Sequence, residues 1–181
     1  METPLYKNPL LEPVDHAIGR SRGGLTTKIH TLVDGDGRPL VVLVSAGQVH
    51  DSPLLTALLG QLSVPRIGPG RPRTRPDALL ADKAYGSRAH RSRLRAAKVT
   101  VVIPEKSSSV GARKRRGRAG GRPPAFDAEL YKQRNVVERS YNVFKQWRAL
   151  ATRYDKHAVI YRGVAVLRSI IIWLKALGDM P

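Results

Sequence analysis

The feature that most constrains the fold is a pair of apolar, β-branched runs separated by a turn sequence. The first run extends from Leu25 to Asp34 and partly alternates between apolar and polar residues, and the second extends from Leu40 to Val44. Both patterns favour strands. Between them lies Asp34-Gly-Asp-Gly-Arg-Pro39, whose residue types are typical of turns. We therefore predict a β-hairpin over residues 25–44.

The residues after the hairpin alternate between helix and strand patterns. Asp51 begins a helix that reaches about residue 62, and we expect its side chain to cap that helix. A short buried strand over 77–82 follows, and Gly86-Ser87 then precedes a basic helix that reaches about residue 97 and a strand over 99–104. Strand, helix and strand in this order predict a parallel crossover, and hence an α/β fold.

The remaining segments complete the predicted organisation. Residues 1–24 contain three prolines and end in two glycines, so we expect a mobile lead-in to a domain over 25–178. Two helices, 127–150 and 158–177, are expected to close the chain. Residues 105–126 form a basic insertion, rich in Gly and Ser, that we expect to be flexible. It is either a solvated linker or a DNA contact made by Arg113, Lys114, Arg115 and Arg116.

Charge and cysteine content limit the classes of function. The chain has 32 Lys and Arg against 14 Asp and Glu, a formal net charge of +18, which points to a polyanionic partner. Charge alone leaves an enzyme that acts on nucleic acid and a ribosomal or nucleoid protein equally open. The absence of cysteine excludes disulfides and thiolate zinc sites. No signal peptide or membrane-spanning run is recognisable, so we expect a cytoplasmic protein acting at DNA without a membrane partner.

Four polar residues of the predicted helix 127–150 share one stripe. At about 100° per residue, Tyr131, Arg134, Glu138 and Lys145 point within about 60° of one another. The stripe is predicted to lie opposite the helix's apolar face. Because a carboxylate with basic neighbours one and two turns away is also common on solvated helices, a surface salt-bridge ladder is the alternative.

Asp82 is a second candidate, since it ends an apolar strand where the chain enters a turn. In open α/β sheets, ligand sites gather at the carboxyl ends of strands. A lone Asp at this position is also a common turn or helix cap. The combination of Asp82 with the helical stripe therefore carries the prediction, and neither does so alone.

The residues from Tyr131 to Lys145 match, at each specified position, the Tyr-x2-Arg-x3-Glu-x6-Lys signature of the IS4 and IS5 transposase group. The chain also resembles the IS5-type members outside this signature, over roughly residues 13–178. Five further segments carry that resemblance: GRSRGGLTTKIH at 19–30, GQVHD at 47–51, LLADKAYGSR at 79–88, GGRPPAF at 120–126 and QWRALATRYDK at 146–156.

This resemblance implies the C-terminal catalytic portion of a DDE transposase with an RNase H-like fold of the retroviral integrase superfamily. Three acids of such a domain hold divalent metal, and Asp82 and Glu138 match the second and third. The implied cofactor is Mg²⁺, with Mn²⁺ able to substitute. Tyr131, Arg134 and Lys145 are implied to contact the element's terminal inverted repeats. Target DNA and further copies of the chain in a synaptic complex are the other implied partners.

The sequence departs from the family where the first acid is expected, upstream of residue 19. Asp15 lies in a proline-containing stretch, and Asp34 and Asp36 lie in the hairpin turn, so none replaces that acid. The first, central strand is expected to be missing with it, which leaves two open sheet edges unless residues 1–12 or another chain fill the gap. We therefore expect either a frameshift-fused part of a longer enzyme or a catalytically inactive DNA-binding remnant.

Overall fold

A three-stranded antiparallel sheet begins the fold in the computed structural model, which describes residues 16–179. Strands β1 (Gly19–Ser21), β2 (Gly24–Val33) and β3 (Pro39–Ala46) lie in that order. The long β2–β3 pair has Ile29 opposite Val44, and it confirms the predicted hairpin. Asp34 stabilises the connecting turn, because its carboxylate accepts hydrogen bonds from the backbone and guanidinium of Arg38 at 2.8 and 2.7 Å.

We expected residues 1–24 to form a mobile lead-in. Strand β1 corrects the last part of this expectation, because residues 19–21 belong to the sheet. Residues 19–21 pair with the start of β2, and Ser21 closes the tight turn between them through hydrogen bonds with Gly23 and Gly24. The two glycines thus provide a hairpin turn here and do not mark the end of an irregular segment. The rest of the predicted lead-in, residues 1–15, lies outside the described residues.

Helix α1 (Asp51–Gly60) covers one face of the hairpin, where Leu58 and Leu62 pack with Val41. The prediction that Asp51 caps this helix is wrong. The cap residue is His50, and no side chain caps the helix. The Asp51 carboxylate instead accepts a hydrogen bond from Lys28 Nζ on β2 at 2.9 Å, because the hairpin brings that cation beside the helix start.

The parallel crossover is confirmed. Strand β4 (Ala78–Leu80), helix α2 (Arg88–Ala96) and strand β5 (Thr100–Val102) follow one another, and β4 and β5 pair in parallel. Leu79, Leu94 and Ile103 pack together between these elements and α1. A buried arginine of α2, Arg91, donates hydrogen bonds to the carbonyls of Ile103, Pro104 and Gly86, which fixes the chain where it leaves β5.

The basic insertion is more regular than its composition predicts. Helix α3 (Ser107–Arg115) and a 3-10 helix (Gly117–Gly120) occupy most of it. The guanidinium of Arg113 forms an ion pair with the Glu105 carboxylate at 2.7 Å, and both side chains are largely shielded from solvent. This contact ties α3 to the end of β5.

The predicted helix over 127–150 is divided into three: α4 (Ala128–Lys132), α5 (Asn135–Lys145) and α6 (Arg148–Ala151). Between α4 and α5 the backbone tightens, because Gln133 and Arg134 donate to carbonyls three residues earlier. Between α5 and α6, Trp147 adopts an extended conformation with φ −87° and ψ 116°. The prediction of one continuous helix is therefore wrong.

The last helix, α7 (Ala158–Leu177), has the predicted bounds and packs on the hairpin face opposite α1. Val42 points to this side whereas its neighbour Val41 points to α1, as the alternation of side chains along a strand requires. Phe144, Tyr161 and Ala165 complete the core on this side. None of the described helices is both long and apolar enough to cross a membrane.

The two sheets of residues 16–179 are not joined. β4 pairs only with β5, and beyond Thr26 the strand β2 has a described neighbour, β3, on one side only. A cavity of about 1100 Å³ lies between β2, β4 and α5. The mixed arrangement of strands and helices agrees with an RNase H-like α/β fold in general.

Candidate active site

The carboxylate of Asp82 lies just beyond the carboxyl end of β4. One of its oxygens accepts a hydrogen bond from the Ala84 amide at 3.1 Å, so Asp82 caps the short 3-10 helix Lys83–Tyr85. The capping alternative considered for this residue is therefore a real role of its side chain. Asp82 lines the cavity, and about half of its side chain is exposed.

Glu138 lies in the first turn of α5 and is exposed. Its carboxylate accepts a hydrogen bond from Arg134 Nη2, one turn earlier, at 2.7 Å. That pair alone corresponds to the salt-bridge ladder expected of a solvated helix. The contact is not confined to the helix, however, because the same nitrogen of Arg134 lies 3.8 Å from Oδ2 of Asp82.

Arg134 therefore joins the two predicted acids. Only 25% of its side chain is exposed, and its guanidinium lies between carboxylates from two different elements. Asp82 and Glu138 are far apart in the sequence, so their approach is a property of the tertiary structure. Two carboxylates that share one cation form a site where positive charge is stabilised.

The other two members of the predicted stripe are placed differently. Lys145 is the last residue of α5, is exposed, and lines the same cavity two turns beyond Glu138. Tyr131 belongs to α4 and is half-buried, with its ring 5.2 Å from that of Phe126. The tightened backbone at residues 133–134 separates Tyr131 from the cavity, whose lining on this part of the chain begins at Gln133.

Two tyrosines and Lys28 of the cavity were not singled out from the sequence, and Asp51 was predicted only as a helix cap. Burial, reinforced by Asp51, Tyr141 and Asp82, raises the pKa of Tyr85 to about 12, so its hydroxyl stays protonated and can donate to an anionic ligand. Burial also raises the pKa of Tyr141, whose hydroxyl donates to the Ile29 carbonyl at 3.0 Å. The Lys28–Asp51 pair lines the same cavity. No local pattern marks these residues, because only folding brings them together.

The basic cluster at the end of α3 is separate from the cavity lining. Arg113 is held by Glu105, as described above. The three basic residues that follow it, Lys114, Arg115 and Arg116, are exposed. Since α3 begins soon after the carboxyl end of β5, it lies on the same side of the parallel pair as Asp82.

The donor set suits a hard cation only in part. Mg²⁺ in enzymes is commonly bound through one or two carboxylates, with waters and substrate phosphates completing its shell. Asp82 and Glu138 supply two such groups. Within the described part of the chain, no group of three or more His, Cys, Asp or Glu side chains is arranged to hold a metal ion.

Comparison with known proteins gives a consistent result. The Transposase DDE domain family matches residues 8–173. A putative transposase for insertion sequence element IS6501 from Brucella ovis is 30% identical over 155 residues, covering 83% of this chain and 100% of the relative. A putative transposase for IS402 from Burkholderia cepacia is 30% identical over 153 residues, covering 84% of this chain but only 64% of the relative. No solved structure gives a significant match.

The family match covers far more than half of the sequence and includes β1 to β5 and most of α7. Asp82, Arg134 and Glu138 all lie within it. The chain therefore belongs to the transposase DDE-domain family.

Proposed function

We propose that this chain is the C-terminal catalytic part of an IS5-type transposase that cleaves DNA at insertion-sequence ends and transfers the strands. The observation that carries the proposal is that Asp82 and Glu138 both lie beside the guanidinium of Arg134. The strand pattern identifies Asp82 and the transposase signature identifies Glu138, so the two acids were found separately. Membership of the transposase family supports DNA as the partner.

In this proposal Asp82 and Glu138 hold Mg²⁺, for which Mn²⁺ can substitute. The metal would supply Lewis-acid activation of the attacking hydroxyl and stabilisation of the leaving oxygen. Arg134 and Lys145 neutralise phosphate charge beside the carboxylates, and Tyr131 packs on a sugar or base near the inverted repeat. The exposed residues Lys114, Arg115 and Arg116, with Arg113, hold flanking DNA.

A further strand, carrying a third acid, is proposed to lie between β2 and β4. The free side of β2 beyond Thr26, the unpaired side of β4 and the cavity between them support this proposal. Backbone amides and carbonyls at both edges would pair with an inserted strand. A frameshift-fused upstream segment is the proposed source. The chain covers 64% of the IS402 relative but all of the IS6501 relative, so the two relatives differ in whether they contain a further segment.

A catalytically inactive DNA-binding remnant is the alternative function. It is favoured by the absence, among the described residues, of any group of three or more His, Cys, Asp or Glu side chains arranged to hold a metal ion, and by the guanidinium already held between Asp82 and Glu138. Such a chain would compete for transposon ends without cutting them. Both forms are proposed to act in the bacterial cytoplasm, at the nucleoid when DNA is bound, and the enzyme would assemble as a homo-oligomeric synaptic complex on inverted repeats and target DNA.

The test uses the chain alone and the chain fused to the sequence encoded directly upstream of its reading frame. We expect Mg²⁺-dependent cleavage of terminal-repeat duplexes by the fusion, and its loss in Asp82→Asn and Glu138→Gln. The exposed acids Asp36 and Glu129 provide matched controls as Asp36→Asn and Glu129→Gln. Binding to the repeats without cleavage by either protein supports the remnant, and cleavage that survives both site substitutions refutes the catalytic assignment.

A further inference from the structure

A closed loop projects from the fold between α1 and β4. Val64 and Arg73 pair across its base through two backbone hydrogen bonds of 2.9 and 2.8 Å, which enclose residues 65–72. Three prolines restrict the backbone of this loop, and Gly68 and Gly70 turn it with φ of +100° and +137°. We call residues 65–72 the proline loop. It is a defined protrusion, and every residue in it is exposed.

The proline loop and its base carry a dense positive charge. Arg66 and Arg71 lie within the loop and Arg73 and Arg75 directly follow it, while residues 65–76 contain no acid. Arg73 pairs with Asp77 at 2.5 Å. Over residues 16–179, no carboxylate lies within ion-pairing distance of Arg66 or Arg71. These two guanidiniums are therefore available to phosphate groups.

The end of α2 extends this positive surface. Arg75 Nη1 donates to the Ala97 carbonyl at 2.9 Å and so ties the base of the loop to the last turn of α2. Arg93, Arg95 and Lys98 are exposed in that part of the chain. A rigid concentration of cations on one surface attracts the nucleic-acid backbone, since each phosphate that the protein neutralises releases condensed counterions.

The loop also has an apolar side chain in the middle of this charge. Ile67 follows Arg66 directly and is fully exposed, at 109% of its reference area. Leaving such a side chain in water forgoes the free energy that its burial would contribute. Proteins that enter the DNA minor groove combine arginines, drawn to its negative potential, with an apolar wedge placed against a base step. Arg66, Ile67 and Arg71 offer that combination on one loop.

The position of the loop separates it from the acids. It precedes β4, whereas Asp82 follows that strand, so the two features lie at opposite ends of the parallel pair. From Asp77 to Asp82 an extended chain covers about 17 Å. The loop and the carboxylates are therefore placed to contact different parts of one bound duplex.

We propose that the proline loop is a second DNA-binding site, which enters the minor groove with Ile67 against a base step and Arg66 and Arg71 beside it. This inference rests on the proposed function only in taking DNA as the partner, and it requires neither metal nor cleavage. Its preferred substrate is A·T-rich duplex, because the minor groove is narrow there and its negative potential is strongest.

The first experiment measures the salt dependence of binding to an A·T-rich duplex. The double variant Arg66→Gln, Arg71→Gln should reduce the slope of log K against log salt by about 1.8, which is about 0.9 for each phosphate that is no longer neutralised. Arg20→Gln, Arg22→Gln is the matched control, since both arginines are exposed at the β1 turn and the net charge changes equally. A control slope reduced as much as that of the loop variant would assign the effect to net charge and overturn the proposal.

The second experiment identifies the groove. Netropsin, which occupies the minor groove, should weaken DNA binding by the wild-type protein several-fold and should weaken DNA binding by the double variant much less. Methyl green, a major-groove ligand, should change the affinity of both proteins equally. Ile67→Ala should reduce duplex bending measured by energy transfer between end labels. Equal sensitivity of both proteins to netropsin overturns the groove assignment. Neither experiment requires metal or measures cleavage, so failure of the catalytic proposal would remain distinguishable.

Discussion

The guanidinium of Arg134 donates to the carboxylate of Glu138 at 2.7 Å, and the same nitrogen lies 3.8 Å from Asp82. A positive charge thus already occupies the space between the two acids. A divalent cation that binds both carboxylates must compete with this guanidinium or displace it towards a phosphate. Arg134 is therefore suited to respond to metal and DNA together.

Replacing Arg134 with Ala should strengthen Mn²⁺ binding to the chain several-fold, because the two carboxylates lose their internal cation. Isothermal titration calorimetry measures the change. A partly exposed ion pair contributes at most about 1 kcal/mol, which limits the gain to roughly five-fold. Arg139→Ala, on an exposed neighbouring position of α5, should leave the affinity unchanged. Weaker Mn²⁺ binding by the Arg134 variant would contradict this account.

The two phenylalanines of the chain should differ strongly in their contribution to stability. Phe144 is 2% exposed and belongs to the core between the hairpin and α7, so Phe144→Ala should lower the free energy of unfolding by about 3–5 kcal/mol. Phe126 is 44% exposed and its ring lies beside that of Tyr131, so Phe126→Ala should cost about 1 kcal/mol. Urea denaturation followed by circular dichroism measures both. Similar losses for the two variants would show that the core is not where we place it.

The buried guanidinium of Arg91 should be important for stability although it lies in a strongly basic helix. Arg91→Ala removes hydrogen bonds to three carbonyls, including that of Ile103 at 2.6 Å, and should lower the free energy of unfolding by about 3 kcal/mol. Arg88→Ala changes an exposed residue at the start of the same helix and should cost less than about 0.5 kcal/mol. Equal denaturation midpoints for these two variants would refute the role of Arg91.

Stability should fall in mildly acidic solution because of His30. Burial lowers the pKa of His30 from its usual value of 6.5, and the nearby charges of Asp51 and Lys28 act in opposite directions. Below pH 6.5 the unfolded chain therefore binds more protons at this residue than the folded chain, so stability decreases as pH falls from 6.5 through the folded-state value. Thermal unfolding at a series of pH values measures this.

The variant His30→Gln should lose that part of the pH dependence, since glutamine does not titrate while it can still bond to Ser45, the partner of His30 at 2.8 Å. His50→Gln changes an exposed histidine and should retain the wild-type profile. An unchanged acid dependence in His30→Gln would exclude this residue as the source.

Local patterns were sufficient to predict the hairpin, the crossover from β4 to β5 and helix α7. In the hairpin the alternation of apolar residues agrees with the packing, as the opposite directions of Val41 and Val42 illustrate. The break at Trp147 could not be predicted in the same way. It allows Leu150 to reach Tyr161 in the core, and that partner lies on another helix. The prediction that Asp51 caps α1 failed for a similar reason. Its carboxylate pairs with Lys28, which lies on the hairpin, far from Asp51 in the sequence.

The sequence was sufficient for the hairpin, the crossover and the last helix, for the excess of positive charge and for the residue types at positions 82, 131, 134, 138 and 145. Only the tertiary structure decided that Arg134 faces both Asp82 and Glu138 while Tyr131 is turned away from the cavity. The difference lies in how far along the chain each kind of interaction acts. Periodicity and turn preferences act over a few neighbouring residues, whereas an ion pair between α5 and the end of β4 depends on how the two parts of the core pack together.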